Sequence, residues 1–261
     1  MNRISKCFKK IRNENRNGLV VFITAGAPDM EATRVTIPNL IESGADIVEI
    51  GMPFSDPLAE GPVIQQSSFL SLGNSTNIDD CLKLVSAVRE ENEVTPLVLM
   101  GYFNPVYQYG VEHFLDECNK HGVDGVIIVD LPAVEAGDFK ELCNHYRVSF
   151  IPLIAPTSTD DSIKLSVEKC DGFVYCVSVT GVTGARKEVS SRGLDLVERI
   201  KGFTGLPVAV GFGVSNKSHV DEICSKADAA VVGSALVSVM LESDREQVAD
   251  KAGDFVKSLT A

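Results

Sequence analysis

The sequence predicts an α/β fold, a single (β/α)8 barrel of the TIM type that spans residues 1–261 as one domain. Eight short apolar runs recur along the chain, nearly continuous in Val, Ile, Leu and Phe, as is typical of parallel strands covered on both faces. Amphipathic stretches separate the runs, and a spacing of about 20–35 residues matches βα units. The alternative, an open doubly wound sheet, usually has fewer strands and an early dinucleotide-type glycine loop, which this sequence lacks.

The eight predicted strands are, in chain order, Leu19–Thr24, Ile47–Ile50, Leu97–Met100, Gly125–Val129, Ser149–Leu153, Phe173–Val177, Val208–Val210 and Ala229–Val232. The clearest amphipathic helices between them are Ala32–Glu42, Val111–Lys120, Val134–Asn144 and Leu194–Lys201. Two further helices are additional to the repeat. One is N-terminal, with Ile4, Phe8 and Ile11 on one side, and the other is Asp79–Glu91, in a gap of about 50 residues after the second strand.

Charge and hydropathy exclude several classes of function. The net charge of −12 argues against nucleic acid as a partner, because phosphate backbones require a basic stripe. No apolar stretch is long enough to cross a bilayer, so we expect no membrane association. The basic N-terminus lacks the apolar segment of a secretory signal.

Cysteine and histidine spacing gives no sign of a metal site. The seven cysteines are dispersed without a CxxC pair, as expected for reduced thiols in a cytoplasmic protein, and Cys176 is predicted to lie in the core. The four histidines fall in helical or helix-end patterns, where we expect surface positions without a catalytic role: His113, His121, His145 and His219.

Two carboxylates mark the most informative segment. Glu49 lies among the apolar residues of the second strand, where loss of water raises a carboxyl pKa. Glu60 follows on the adjoining loop. Since chemistry in such barrels sits at the carboxyl ends of the strands, the two acids predict an acid–base site. The alternative is that Glu49 forms a structural ion pair and that Glu60 is ordinary loop surface.

Other side chains at the same barrel end are less specific. Tyr102 and Tyr175, taken singly, fit ordinary aromatic packing as well as a site. Asp130, which precedes Leu-Pro, is better interpreted as a loop-capping residue than as an acid.

Glycine-bearing segments follow the last three predicted strands. They are Thr180–Ala185, Gly211–Ser215 and Gly233–Ala235. Barrels often bind phosphate where the loops after strands 7 and 8 meet a short helix, with backbone N–H groups as donors. We therefore expect phosphate binding at this end. The polar loop from Val179 to about Arg192 is interpreted as a mobile lid, and a merely disordered loop is the alternative.

Taken together, these motifs resemble the tryptophan synthase α-subunit family over essentially the whole chain. The stretch from Glu49 to Pro62 is the most specific part. The other segments that carry the resemblance are Ile23–Gly26, Asp130–Pro132, Gly181–Gly184, Gly211–Gly213 and Gly233–Ser234.

The resemblance implies retro-aldol cleavage of indole-3-glycerol phosphate to indole and glyceraldehyde 3-phosphate, with no cofactor in this chain. It implies that Glu49 moves protons and that Glu60 accepts a hydrogen bond from the indole N–H. The implied substrate-binding residues are Phe22, Met100, Tyr102, Ile127, Val129, Tyr175, Thr183 and Phe212. Several of them would equally fit simple barrel core. The implied phosphate-binding residues are Gly184, Gly213, Gly233 and Ser234.

The resemblance also implies a partner, the pyridoxal-phosphate-containing β subunit of tryptophan synthase, in an α–β–β–α heterotetramer. The implied interface positions are Pro53, Asp56, Asn104 and Pro132.

Two departures from the family pattern affect the expected activity. Glu60 replaces the usual aspartate, and Gly26-Ala27-Pro28 replaces Gly-Asp-Pro. A shift of about 1 Å in a catalytic oxygen can cost about 100-fold in rate. We therefore expect a working but slow lyase that depends on its partner. The alternatives are a non-catalytic relative that docks on and activates the β subunit, and a Schiff-base aldolase, which would need a strand-end lysine that is missing here.

Overall fold

The structure, a computed structural model, describes residues 2–168, 170–177, 191–211 and 213–260. Its strands are β1 Gly18–Thr24, β2 Ile47–Gly51, β3 Leu97–Gly101, β4 Gly125–Ile128, β5 Ser149–Phe150, β6 Leu153–Ile154, β7 Val174–Val177, β8 Val208–Gly211 and β9 Ala229–Val232. Its helices are α1 Arg3–Asn13, α2 Met30–Glu42, α3 Pro62–Gly73, α4 Ile78–Glu91, α5 Phe103–Tyr109, α6 Val111–His121, α7 Gly137–His145, α8 Asp160–Val167, α9 Ser191–Lys201, α10 Lys217–Cys224, α11 Ser234–Glu242 and α12 Val248–Thr260.

The strands form one parallel sheet in the order β5-β4-β3-β2-β1-β9-β8-β7-β6. The two ends of this order, β5 and β6, are two halves of the same extended segment, so the sheet closes into a barrel. Every residue of β1 and β2 is buried, as expected for strands with helices outside and side chains within. The predicted barrel is confirmed.

The fifth predicted strand, Ser149–Leu153, differs from the structure. It is divided at Ile151 and Pro152 into β5, which pairs with β4, and β6, which pairs with β7. Pro152 has no N–H to donate to a ladder, so regular pairing stops there. The carbonyl of Pro152 still accepts from the Tyr175 N–H at 3.0 Å, and this bond keeps the barrel closed.

Helix α1 closes the amino end of the barrel. The Asn2 side chain caps it by accepting from the Ser5 N–H. Ile4, Phe8 and Ile11 are buried in one cluster with inward-facing strand residues, and the rings of Phe8 and Phe173 lie 5.6 Å apart. The predicted apolar side of the N-terminal helix is therefore confirmed.

Two helices follow β2, although the sequence pattern predicted one. The predicted Asp79–Glu91 is α4, which begins at Ile78 with a capping box between Asn77 and Asp80. Helix α3 was missed because it has almost no amphipathic periodicity. Its remaining sequence signal is Pro62 in the first turn, a position where the missing N–H costs nothing.

Of the remaining sequence predictions, the one for Cys176 is confirmed and the one for His219 is wrong. All seven cysteines are free, and Cys176 is fully buried as predicted. The prediction of a surface position for His219 was wrong, because its ring is buried beside Ser215 and Asn216 in the first turn of α10. In the part of the chain that the structure describes, no helix is long and apolar enough to span a bilayer.

Candidate active site

A cavity opens at the carboxyl end of the strands, where the sequence predicted it. Its lining brings together residues from β1, β3, β7, β8 and β9, from the loops before α3 and after β8, and from the starts of α3 and α11: Phe22, Glu60, Ile64, Met100, Tyr175, Gly211, Gly213, Val214, Val231, Gly233 and Ser234. The lining therefore combines apolar and aromatic side chains with glycine backbone.

Glu49 lies on β2 in register with Phe22 of β1; Phe22 lines the cavity, whereas Glu49 does not. It is the third of the five residues of the strand. Its side chain is fully buried, and neither carboxyl oxygen has a hydrogen-bond partner among the described residues. Burial, and then the charge of Glu60, raise its pKa to about 8. Glu49 therefore holds its proton at neutral pH.

Glu60 lies on the loop between β2 and α3 and is partly buried. Loss of water raises its pKa to about 7, so ionised and neutral forms coexist near neutrality. Its N–H donates to the Pro57 carbonyl at 3.0 Å, and its own carbonyl accepts from the Gln65 amide at 3.0 Å. The backbone that carries this carboxylate is thus held on both sides.

Glycines allow two aromatic rings to enter the site. A Cβ atom at Gly51 would lie 2.5 Å from Cζ of Phe22, and one at Gly211 would lie 2.6 Å from the hydroxyl of Tyr175. Burial and the charges of Glu49 and Glu60 hold the pKa of Tyr175 well above its usual range. Its hydroxyl therefore keeps its proton and can donate a hydrogen bond.

Main chain at glycine residues forms another part of the lining. Gly213, after β8, adopts a left-handed conformation with φ of 56°, which a residue with a side chain rarely takes. Gly233 precedes α11, and no side chain caps that helix. The first N–H groups of α11, beginning at Ser234, are consequently available to an anion in the cavity.

Comparison with known proteins identifies the family. The family model described as "Tryptophan synthase alpha chain" matches residues 8–260. The chain belongs to the tryptophan synthase alpha chain family.

The chain aligns with individual relatives over nearly their whole length. The chain is 44% identical to the tryptophan synthase alpha chain of Geotalea uraniireducens over 261 residues, covering 100% of this chain and 97% of the relative. It is 43% identical to that of Pelobacter propionicus over 259 residues, covering 99% and 97%.

Solved structures share the fold. A chain from Aquifex aeolicus is 40% identical with a TM-score of 0.91, covering 100% of this chain and 98% of that one. The tryptophan synthase complex of Pyrococcus furiosus contains a chain that is 37% identical with a TM-score of 0.86, covering 93% and 97%.

Not every site residue that the family resemblance implied lies at the described cavity. Ile127 is fully buried in the barrel interior, in the same cluster as the apolar residues of α1. Neither Ile127 nor Val129 lines the cavity. Thr183, Gly184 and Phe212 lie outside the described residues, as does the predicted lid up to residue 190. The last two lid positions, Ser191 and Arg192, begin α9 instead.

Tyr102 belongs to the loop side of the site. It borders the space between Phe54 and Glu60, and its ring lies 5.0 Å from that of Phe54. Its hydroxyl accepts from the Ala59 N–H at 3.0 Å. Desolvation raises the pKa of Tyr102 to about 12, so the phenol stays neutral.

The predicted interface positions are at least partly exposed on neighbouring loops at the same barrel end. Pro53 and Asp56 follow β2, Asn104 lies in α5, and Pro132 follows β4. Asp130 accepts from the Phe103 N–H at 2.7 Å and so caps the first turn of α5.

Two findings were not foreseen. Ile64 of α3 lines the cavity, and only recognition of that helix would have revealed it. Ala27, where the family pattern has aspartate, is buried and does not line the cavity. In that region the Ser71 hydroxyl donates to the Ala25 carbonyl.

Proposed function

We propose that the chain catalyses the retro-aldol cleavage of indole-3-glycerol phosphate to indole and glyceraldehyde 3-phosphate. The observation that carries this proposal is Glu49, a fully buried carboxyl group without a described protein partner, in register with Phe22 of the cavity lining. A group of this kind stays protonated at neutral pH and is available to a substrate.

Glu49 serves both proton transfers. Its proton goes to C3 of the indole, which places positive charge on the ring nitrogen. The bond between C3 and the glycerol chain then breaks, its electrons return to the ring, and the adjacent hydroxyl becomes the aldehyde. The Glu49 carboxylate takes the proton of that hydroxyl, so that the enzyme ends as it began.

Glu60 stabilises the charge that appears between these transfers. Ionised Glu60 accepts a hydrogen bond from the indole N–H and offsets the positive charge on the ring. The low water content of the site strengthens this attraction. Phe22, Met100 and Tyr175 supply the flat apolar walls that an indole requires.

The phosphate is assigned to the glycine part of the lining. The N–H groups at Gly213, Gly233 and Ser234 donate to its oxygens, together with those of Gly184, and the start of α11 contributes its dipole. Main-chain donors suit a chain with a net charge of −12, because no lysine or arginine is needed. Thr183, Phe212, Ile127 and Val129 remain proposed contacts of the indole.

The reaction consists of proton transfers and one carbon–carbon cleavage, so we assign no cofactor to this chain. We further propose that the β subunit, which carries pyridoxal phosphate, docks on the loops with Pro53, Asp56, Asn104 and Pro132. Free cysteines favour a cytoplasmic location. Residues 1–261 are proposed to fold as one unit.

A steady-state assay of indole release from indole-3-glycerol phosphate tests the proposal, with and without a β subunit. We expect Glu49→Gln to lose at least 100-fold in kcat, since general acid–base catalysis typically contributes about 10²–10⁴-fold. Glu60→Ala should lose less and Glu60→Asp should keep measurable turnover. Turnover unchanged in both Glu60 variants would remove that residue from the mechanism. Stimulation of the β subunit without any cleavage of indole-3-glycerol phosphate would instead support the alternative, a non-catalytic relative that activates the β subunit.

A further inference from the structure

A second cavity lies at the opposite end of the barrel from Glu49 and Glu60. It is a groove of about 750 Å³ between α1 and the turns that enter β2, β3, β4 and β5. We call it the amino-end groove. Its walls include Lys6 and Lys10 of α1, Pro96 and Val123 of the turns, and Arg147 before β5.

The two most buried acids of this groove are already neutralised. Asp124 accepts from Arg89 at 2.5 Å and from Arg3 at 3.1 Å. Both oxygens of Asp46 accept from Arg16, at 2.6 and 2.8 Å. These carboxylates therefore contribute no free negative charge, and Glu93 is the remaining acid of the lining.

Three cations of the groove are not neutralised in this way. Lys6 and Arg147 form no ion pair with any residue that the structure describes, and the contact of Lys10 with Glu14 is 3.9 Å long between exposed side chains. Such an exposed pair contributes little. Lys6 and Lys10 lie one turn apart on the same face of α1.

Local charge has the opposite sign to the chain as a whole. The first 16 residues hold six basic side chains and one acidic one, in a protein whose net charge is −12. Ile41, Pro96 and Val123 add apolar wall to the groove. Burial raises the pKa of the Cys7 thiol to about 12, so this neighbour offers neither a nucleophile nor a metal ligand.

We propose that the amino-end groove binds an organic polyphosphate, with its phosphates on Lys6, Lys10 and Arg147 and its organic part on the apolar wall. The volume lies within the range of roughly 300–1,000 Å³ of small-molecule sites. Three cations that no close ion pair neutralises match a multiply charged anion better than a single carboxylate. This site is separate from the cavity assigned to the glycerol phosphate.

Titration calorimetry of the full chain with ATP at low ionic strength tests the proposal. We expect the double variant Lys6→Gln/Lys10→Gln, and separately Arg147→Gln, to weaken ATP binding at least tenfold. The matched control is Lys9→Gln, an exposed lysine on the same helix that does not line the groove, and it should bind within about twofold of the unchanged protein. Urea unfolding of each variant verifies that it is folded.

Three outcomes would overturn the proposal. The first is that the unchanged protein shows no ATP binding at millimolar concentration. The second is an equal loss of ATP affinity in Lys9→Gln, which would mean that ATP is attracted to the basic helix in general. The third is displacement of ATP by glycerol 3-phosphate, which would place ATP in the cavity at the other end of the barrel.

Discussion

The backbone N–H of Ala59 donates a 3.0 Å hydrogen bond to the hydroxyl of Tyr102, 43 residues further along the chain. This bond fastens the loop after β2 to the residue that follows β3. Glu60 is the next residue on that loop, so the position of its carboxylate depends on a side chain from a different βα unit. The same tyrosine packs against Phe54, which anchors the loop a second time.

Loss of this anchor should slow the reaction. We expect Tyr102→Phe to lower kcat/KM for indole release by roughly fivefold, because one hydrogen bond is worth about 1 kcal/mol and Glu60 would be held less firmly. The control is Tyr107→Phe on α5, whose ring is 63% exposed. Equal rates in the two variants would show that the Ala59 bond does not position Glu60.

The two raised pKa values predict a narrow pH optimum. Glu49 must be protonated to donate and has a pKa of about 8, whereas Glu60 must be ionised to accept and has a pKa of about 7. The rate should therefore fall below about pH 7 and above about pH 8. A pH profile of kcat/KM measures this directly. Glu60→Gln should flatten the acid side and move the alkaline side to lower pH, because the charge of Glu60 helps to raise the pKa of Glu49. A profile that stays level from pH 5 to pH 10 would contradict both assignments.

Burial of Glu49 should also lower the stability of the protein as the pH rises. Its pKa is higher in the folded chain than in the unfolded chain, so folding takes up a proton above about pH 4.5. The resulting loss of stability grows from about pH 4.5 to about pH 8 and reaches about 3 kcal/mol near pH 7.

We expect Glu49→Met to remove this dependence and to be more stable than the unchanged protein at pH 8, while losing activity. Urea unfolding at pH 5 and at pH 8 gives the comparison. Unfolding free energies that change in parallel for the two proteins would show that Glu49 is not responsible.

The close approach of the Tyr175 ring to Gly211 predicts that substitutions at these two positions have coupled effects on stability. A Cβ atom there would lie 2.6 Å from the Tyr175 hydroxyl, so Gly211→Ala should displace the ring and destabilise the protein by about 1–3 kcal/mol. The loss should be smaller in a Tyr175→Phe background, because the nearest atom is then gone. Gly137→Ala is the control, since a Cβ there meets nothing within 4 Å. A double-mutant cycle without coupling energy would argue against the contact.

Much of this architecture was predictable from local patterns. Apolar runs such as Ile47–Ile50 and Leu97–Met100 specify buried parallel strands, since both faces of each strand must be covered. The polar side chain of Glu49 within such a run marked it as unusual before any contact was known. Prediction was weaker where periodicity is weak, as in α3, and where a proline interrupts pairing, as at Pro152.

The sequence by itself determined the order of strands and helices, the amino-end helix and the acid in the second strand, because each depends on residues a few positions apart. Only the tertiary structure decided that Tyr102 holds the Glu60 loop, that Ala27 is buried outside the cavity lining and that His219 is buried. Those facts depend on which distant elements come into contact when the barrel closes. Burial and close approach are properties of that assembly, and no local spacing encodes them.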